Sequence, residues 1–527
     1  MQVRTTKTGS GSTAVQVVRR HHHKTEIVKH IGSAKDKEQL EAYITMAHQF
    51  IRESDDTQPL FPKFFPQKKQ QHLISVDHIE FTKTYHMFAY EFFSFFYDWN
   101  GFHRIGNSVL KDFAIMRLIE PASKEATRKL LKEYFHITCS NDRLYRGLRA
   151  LLKQKDQIEQ AAVSYAKKHL SFNFSLVFYD VTTLYFETFK ADEDRTDEKG
   201  NTTAGLRKNG FGKERKPGQP IVMIGLVVNK DGYPISVEMF SGNTFEGNTI
   251  IPVIKNLQKK YAIETLTIVA DAAMLSEDNL REIKDAQLFY IVGARMGNIA
   301  KILLKEASVT LNKTEKVFYT KNTKLGTLIC DYSKKRAAKD RSDRKKQLAK
   351  AQEQIDNPEK MKRKRRFVME ETKVVFKLNE ELIAQDELKE GIKGYYTNLT
   401  FNNEVTPDYI ATRYHDLWHV EKSFRIAKTD LEARPIFHHK RESIEAHILI
   451  VFVSLCLAKS IELLSKISIE QVRKHVWPIL DIEFTDTITN NVFTKRMMTK
   501  ANPMVELWKT LEAKINLSHD LTVGVLI

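Results

Sequence analysis

Three carboxylates in this chain stand where a carboxylate needs explaining. Asp180 lies inside the apolar, β-branched run SLVFYDVTTLYFE, and Asp271 ends the short buried-type strand LTIVAD. Glu421 sits at the edge of a helical apolar stripe. An ionised carboxylate withdrawn from water is costly without a partner, and a divalent cation is a good one. Taken singly, each has a plain structural alternative. Asp180 can be a strand-end residue capping a turn, Asp271 a turn or helix cap, and Glu421 a solvated charge on an amphipathic helix. Around Glu421 the stretch Tyr414–Lys428, YHDLWHVEKSFRIAK, has helical periodicity. As one helix it puts Tyr414, Glu421 and Lys428 on one face, drifting about 20° per seven residues. Leu417, Val420, Phe424 and Leu431 form the apolar stripe beside them. A carboxylate at the lip of a core, with a cation two turns on and Trp418 beside it, suits metal and phosphate chemistry.

Composition narrows the partners. A chain of 527 residues with 42% hydrophobic content is expected to fold as two to four domains. A formal charge of +17 and a pI near 9.4 favour a polyanion, nucleic acid before membrane. Cys139, Cys330 and Cys456 are odd in number and far apart, which argues for a reducing compartment and against a disulfide framework or a Cys-based zinc site. The apolar run Ala446–Ala458 is broken by His447 and too short to span a bilayer, so it reads as a buried helix. The expectation is a soluble, cytoplasmic protein with no membrane partner. His21-His22-His23 could bind a metal, but nothing nearby completes a site, and a basic hairpin tip near DNA is the better reading.

The elements that must position the three acids follow in order. Residues 1–60 give a β-like arm and a helix. Residues 61–174 read as helical, with Ser123 and Ser140 as helix starts and Arg143, Arg146, Arg149 and Lys153 along one helix, a region expected to bind DNA. Residues 175–296 give strand, strand, strand, helix, strand, helix, strand, with Asp180 in the first strand and Asp271 at the end of the fourth. That order is the order of a ribonuclease-H-like α/β core, which a late helix bearing a third acid completes. Residues 297–400 form an insertion, β-like at its ends (Lys316–Tyr319, Thr327–Tyr332, Thr372–Leu378 and Gly394–Thr400) and basic and helical between, with the cluster Lys362–Arg366. Residues 401–465 hold the closing helices, and 466–527 a C-terminal region of short helices and turns that could serve dimerisation.

With these motifs in hand the sequence resembles the DDE transposases of bacterial insertion sequences, in the insertion-sequence-four superfamily and its branch with a Tyr-x2-Arg-x3-Glu-x6-Lys signature. The matching stretches are YDVTTLYF around Asp180, TIVADAAM around Asp271 and YHDLWHVEKSFRIAKTDLEARPIFHH around Glu421. The resemblance implies Asp180, Asp271 and Glu421 as catalytic metal ligands for Mg²⁺, with Mn²⁺ able to substitute. It implies DNA contacts from Tyr414, Trp418, Lys428 and Arg434. One position departs from the family: Leu417 stands where the signature has arginine, and Arg425, one turn after Glu421, is the nearest replacement. The implied activity is strand cleavage and strand transfer at terminal inverted repeats and target DNA, by a homodimer on double-stranded DNA, in the nucleoid-bearing cytoplasm of a bacterium. A nuclease of the same fold and a binding-only descendant are the rival readings.

Overall fold

An eight-stranded mixed sheet forms the centre of the chain in a computed structural model. The structure describes residues 1–527 apart from 10, 22–23, 56–77, 197–201, 213–217, 275, 358–364, 372–375, 489, 500 and 516–527. His22 and His23, the basic-loop residues Lys213, Arg215 and Lys216, Lys362, Arg363 and Lys364 of the basic cluster, and the β-like stretch 372–375 lie outside the described residues. Numbered along the chain, the strands of the sheet are β1 (Leu176–Tyr185), β2 (Ile221–Val228), β3 (Pro234–Ser241), β4 (Thr267–Ala270), β5 (Phe289–Gly293), β6 (Tyr319–Thr323), β7 (Gly326–Tyr332) and β8 (Ile392–Thr397). Their order across the sheet is β6-β7-β8-β5-β4-β1-β2-β3. β1, β2 and β3 form an antiparallel meander, and β4 runs parallel to both β1 and β5. This is the ribonuclease-H-like α/β core that the order of elements predicts. β2 is buried at every position of IVMIGLVV, as a strand covered on both faces must be.

Three late helices cover the face that carries Asp180. Pro407–His415 crosses β5 and β8, Trp418–Thr429 lies over β1 and β2, and Arg441–Ser465 packs behind it. The last is long and apolar enough to cross a membrane, but 83% of its most apolar window is buried. Its surroundings are the helices Ser108–Ile119 and Asn141–His169. The latter starts on a Ser140 hydroxyl that accepts from the Arg143 amide, as Ser123 does from Ala126 for the helix Lys124–Phe135.

The structure departs from the sequence reading in four places. Ile79–Tyr85 is a strand, so the region 61–174 is not helical throughout. It pairs with Leu480–Asp486, which pairs in turn with Val492–Met497, and the C-terminal region therefore holds strands as well as helices. A two-residue alternation in IEFTKTY is a weak signal when its partner lies far along the chain. The ends of the 297–400 insertion extend the central sheet as β6, β7 and β8. The short strands Val368–Glu370 and Phe376–Leu378, with part of the basic helix Lys334–Asp356 and the helix Glu380–Leu388, gather around a small core of their own at Ala351 and Phe367. Arg143, read as one of a row of basic residues toward DNA, instead bonds the buried Asp112 at 2.8 Å and the Thr138 carbonyl. Last, Tyr414–Lys428 is not one helix. Asp416 and Leu417 join two helices through i→i−3 bonds, Leu417 N–H to the Tyr414 carbonyl and Val420 N–H to Leu417. Buried Leu417 sits at that tightened turn.

Candidate active site

The register of the sheet brings Asp180 and Asp271 to one level on neighbouring interior strands. Ala270 pairs with Tyr179 on one side and with Val292 on the other, so Asp180, Asp271 and Gly293 follow at the same level on three neighbouring strands. Gly293 in turn pairs with Tyr395 of β8. Side chains one strand apart in such a row lie about 5 Å from each other. Above β1, the first turn of the helix Trp418–Thr429 carries Glu421. A carboxylate there meets the positive end of the helix dipole.

Between Asp180 and Glu421 opens a cleft of about 300 Å³, walled by Thr182, Arg425, Lys428 and Arg434. Two acids and three cations around one groove fit a phosphodiester backbone held beside a cation. Arg425 is exposed on the rim, whereas Lys428 is half-buried. Trp418, half exposed, stacks on His419 with ring centroids 4.0 Å apart, and the Lys422 amine lies 5.9 Å from its ring centre.

Tyr414 does something the sequence reading did not assign to it. That reading set it on a continuous helix as a strand-tracking DNA contact. It is buried, and its hydroxyl donates to Asp271 Oδ1 at 3.1 Å. Burial, and then the Asp271 charge, push the hydroxyl's pKa up, so it stays a protonated donor. The ring reaches this position because Gly293 has no side chain: a Cβ there would overlap the Tyr414 hydroxyl and stand 2.9 Å from Cζ. Gly293→Ala is therefore expected to cost about 1–3 kcal/mol of stability, the usual overpacking range. Adding Tyr414→Phe, which removes the obstructing oxygen, should recover at least half of that loss in urea denaturation. Strictly additive losses would show that the two residues do not press on each other.

Hard oxygen donors of this kind fit a divalent cation in their chemistry. The present rotamers do not gather them: among the described residues no three His, Cys, Asp or Glu side chains stand close enough to hold an ion. Asp271 Oδ1 is engaged by Tyr414 and by the Ala272 amide at 2.7 Å, and Asp180 Oδ1 accepts from the Val181 amide at 2.8 Å. The fit thus lies in donor type and backbone placement, and side-chain rotation is what remains.

Lys393, Tyr395, Asp331 and His415, gathered beside Tyr414, escaped the sequence reading. Lys393 of β8 holds its amine 4.5 Å from the centre of the Tyr414 ring. Burial and then Arg336 lower its pKa, while Asp331, Asp271 and Glu421 act to raise it. Tyr395 donates to Asp331 Oδ2 at 3.2 Å, within 3.3 Å of His415 Nε2. A signal existed for Lys393. A charged residue between Ile392 and Gly394 in a strand otherwise buried calls for the same explanation as Asp180.

The family described as "Transposase DDE domain" matches residues 175–457, more than half of the chain. Among solved structures, the piggyBac transposase synaptic complex with hairpin DNA matches at 10% identity, with a TM-score of 0.36, over 74% of this chain and 70% of that one. The Mos1 transposase paired-end complex with left transposon end matches at 14% identity, with a TM-score of 0.15, over 46% and 66%. No curated protein matches.

Proposed function

The chain belongs to the transposase DDE domain family, and on that premise we propose that it moves an insertion sequence of the bacterial insertion-sequence-four type. In this reading it binds the element's terminal inverted repeats as a homodimer, in the cytoplasm at the nucleoid, and carries out cleavage and strand transfer with Mg²⁺. The observation that supports the reading is the placement of Asp180 and Asp271 at one level on neighbouring strands, with Glu421 across a cleft from Asp180 that Arg425, Lys428 and Arg434 also line. A divalent ion bound by the three acids would supply an activated oxygen nucleophile and stabilise the leaving oxygen. The chain's residues do the rest. Arg425, Lys428 and Arg434 hold the strand's phosphates against the cleft. Tyr414 donates to Asp271 and fixes that carboxylate, while Trp418 offers an aromatic face to an unstacked base. In cleavage, water adds to phosphorus and the bond to the 3′-oxygen breaks, which leaves a 3′-hydroxyl. In joining, that hydroxyl attacks a target phosphodiester, and the target's own 3′-oxygen leaves.

The test is one assay of purified protein on DNA carrying the element's terminal repeats, with Mg²⁺ or Mn²⁺. End-specific cleavage and joining are expected, weakened by Arg425→Glu. Cleavage without end preference would replace the reading with a nuclease. Binding that is unchanged in Asp271→Ala, with no cleavage by wild type, would replace it with a DNA-binding descendant.

A further inference from the structure

At Leu417 the chain lacks the arginine that its family signature would supply, and the buried leucine can make no phosphate contact. Arg425 does not fill that place. It lies eight residues on, about 12 Å along a helix, in the cleft on the far side of Glu421. The late-helix cations that line this cleft, Arg425 and Lys428, stand with Arg434 beside Asp180 and Glu421.

The insertion supplies two more cations. Lys393 points from β8 onto the same face as Tyr395 and as Asp331, with which it pairs across β7. Its amine lies 4.5 Å from the Tyr414 ring centre and 5.7 Å from that of Tyr395, and it is within electrostatic reach of both Asp271 and Glu421. Arg336 stands in the first turn of the helix Lys334–Asp356, and its charge is felt by Lys393, Tyr395 and Tyr414. It also lines a second cleft, of about 350 Å³, with Met296 and Asp340. Two half-buried cations that repel each other destabilise the fold unless an anion comes between them. Asp331, paired with Lys393 across the strands, offsets part of that repulsion and also accepts from Tyr395. The first turn of a helix is also a poor place for a guanidinium, since the dipole there favours anions.

We propose that Lys393 and Arg336 form a phosphate-binding site, contributed by the insertion, that takes a backbone phosphate of the DNA strand being cut in place of the arginine missing at Leu417. The proposal rests on the transposase reading for the identity of the strand. It makes the insertion part of the binding surface, with the strand running from the Arg425–Arg434 cleft past Asp271 to β8. The competing role for Lys393 is structural, a cation propping the Tyr414 ring.

The experiment uses the full chain and a duplex carrying one end of the element, taken from the DNA that flanks this coding sequence. Binding is followed against salt for wild type, Lys393→Met, Lys393→Arg and Arg336→Met. Each phosphate contact contributes about 0.9 to the slope of log K against log salt. Lys393→Met and Arg336→Met should each flatten the slope by roughly that amount, and Lys393→Arg should restore it. Single-turnover cleavage should fall about 10- to 100-fold in Lys393→Met, the scale of one lost charged hydrogen bond. Wild-type slopes in both Met variants overturn the proposal, including when Lys393→Met cleaves poorly, because that pair of results is what a structural prop gives. Arg336→Met, a substitution in a helix rather than in the sheet, keeps the test valid if Lys393→Met folds badly. A wild type that binds but never cleaves counts against the transposase reading, and the slopes still decide the phosphate contact.

Discussion

Glu421→Gln should lower single-turnover cleavage by on the order of 10³-fold or more, since the charge stabilisation a carboxylate-held ion offers a phosphoryl transition state is several kcal/mol. The amide keeps the shape of the side chain and removes only the charge and one acceptor oxygen. Glu421 is exposed on the first turn of its helix, and the packing of that helix rests on Val420, Phe424 and Ala427 instead. The substitution should therefore shift folding stability by no more than about 0.5 kcal/mol, as exposed positions do. DNA affinity should hold or rise slightly, because a negative charge beside the phosphates has been removed. Cleavage on end DNA, read beside urea denaturation, separates the two effects. A variant that still cuts within tenfold of wild type would take Glu421 out of the acid set.

How much of this was legible in the sequence differs from residue to residue, for physical reasons. The strand positions of Asp180 and Asp271 were legible because a charge in an apolar strand is costly and so conspicuous, and the order of strands around them prescribes the sheet. Glu421 drew notice only once those two suggested a third acid on a late helix. The break at Leu417 was not, since both halves keep helical periodicity and the tightening is a matter of i→i−3 bonds at one turn. Tyr414 was therefore misread as tracking DNA, although its hydroxyl is bound to Asp271. Nothing in the signature says that Gly293, more than a hundred residues earlier, leaves the space for that ring. β8 was read two residues late, as Gly394–Thr400, and that shift hid Lys393, the one cation in the strand. Pairings such as Ile79–Tyr85 with Leu480–Asp486 leave even less trace, because alternation over seven residues says nothing of which distant strand completes the sheet.

The support behind the site leads to the second large effect. Glu159, only 1% exposed, joins three elements at the edge strand β3. Its Oε1 accepts from Ser236 Oγ at 2.9 Å and from the Val237 amide at 3.0 Å, and its Oε2 accepts from Lys260 Nζ at 2.7 Å. The helix Asn141–His169 is thereby tied to β3 and to the helix Ile250–Tyr261. Glu159→Ala leaves a buried amide and a hydroxyl without their acceptor and takes one carboxylate from Lys260. Breaking a buried pair from one side costs about 3–5 kcal/mol. Asp156 still holds Lys260 at 2.6 Å, so the loss should fall toward the lower end of that range. Glu159→Gln keeps an acceptor for the amide and should lose less than the alanine variant. Denaturation followed by tryptophan fluorescence reads the difference, with Trp99 packed on His169 at the end of the same helix. A loss under about 1 kcal/mol in Glu159→Ala would mean that water replaces the carboxylate at no great cost. The edge strand would then be held by its apolar contacts alone. If the loss is as expected, β1, and Asp180 with it, is held in register from a network on the far side of the meander, at β3.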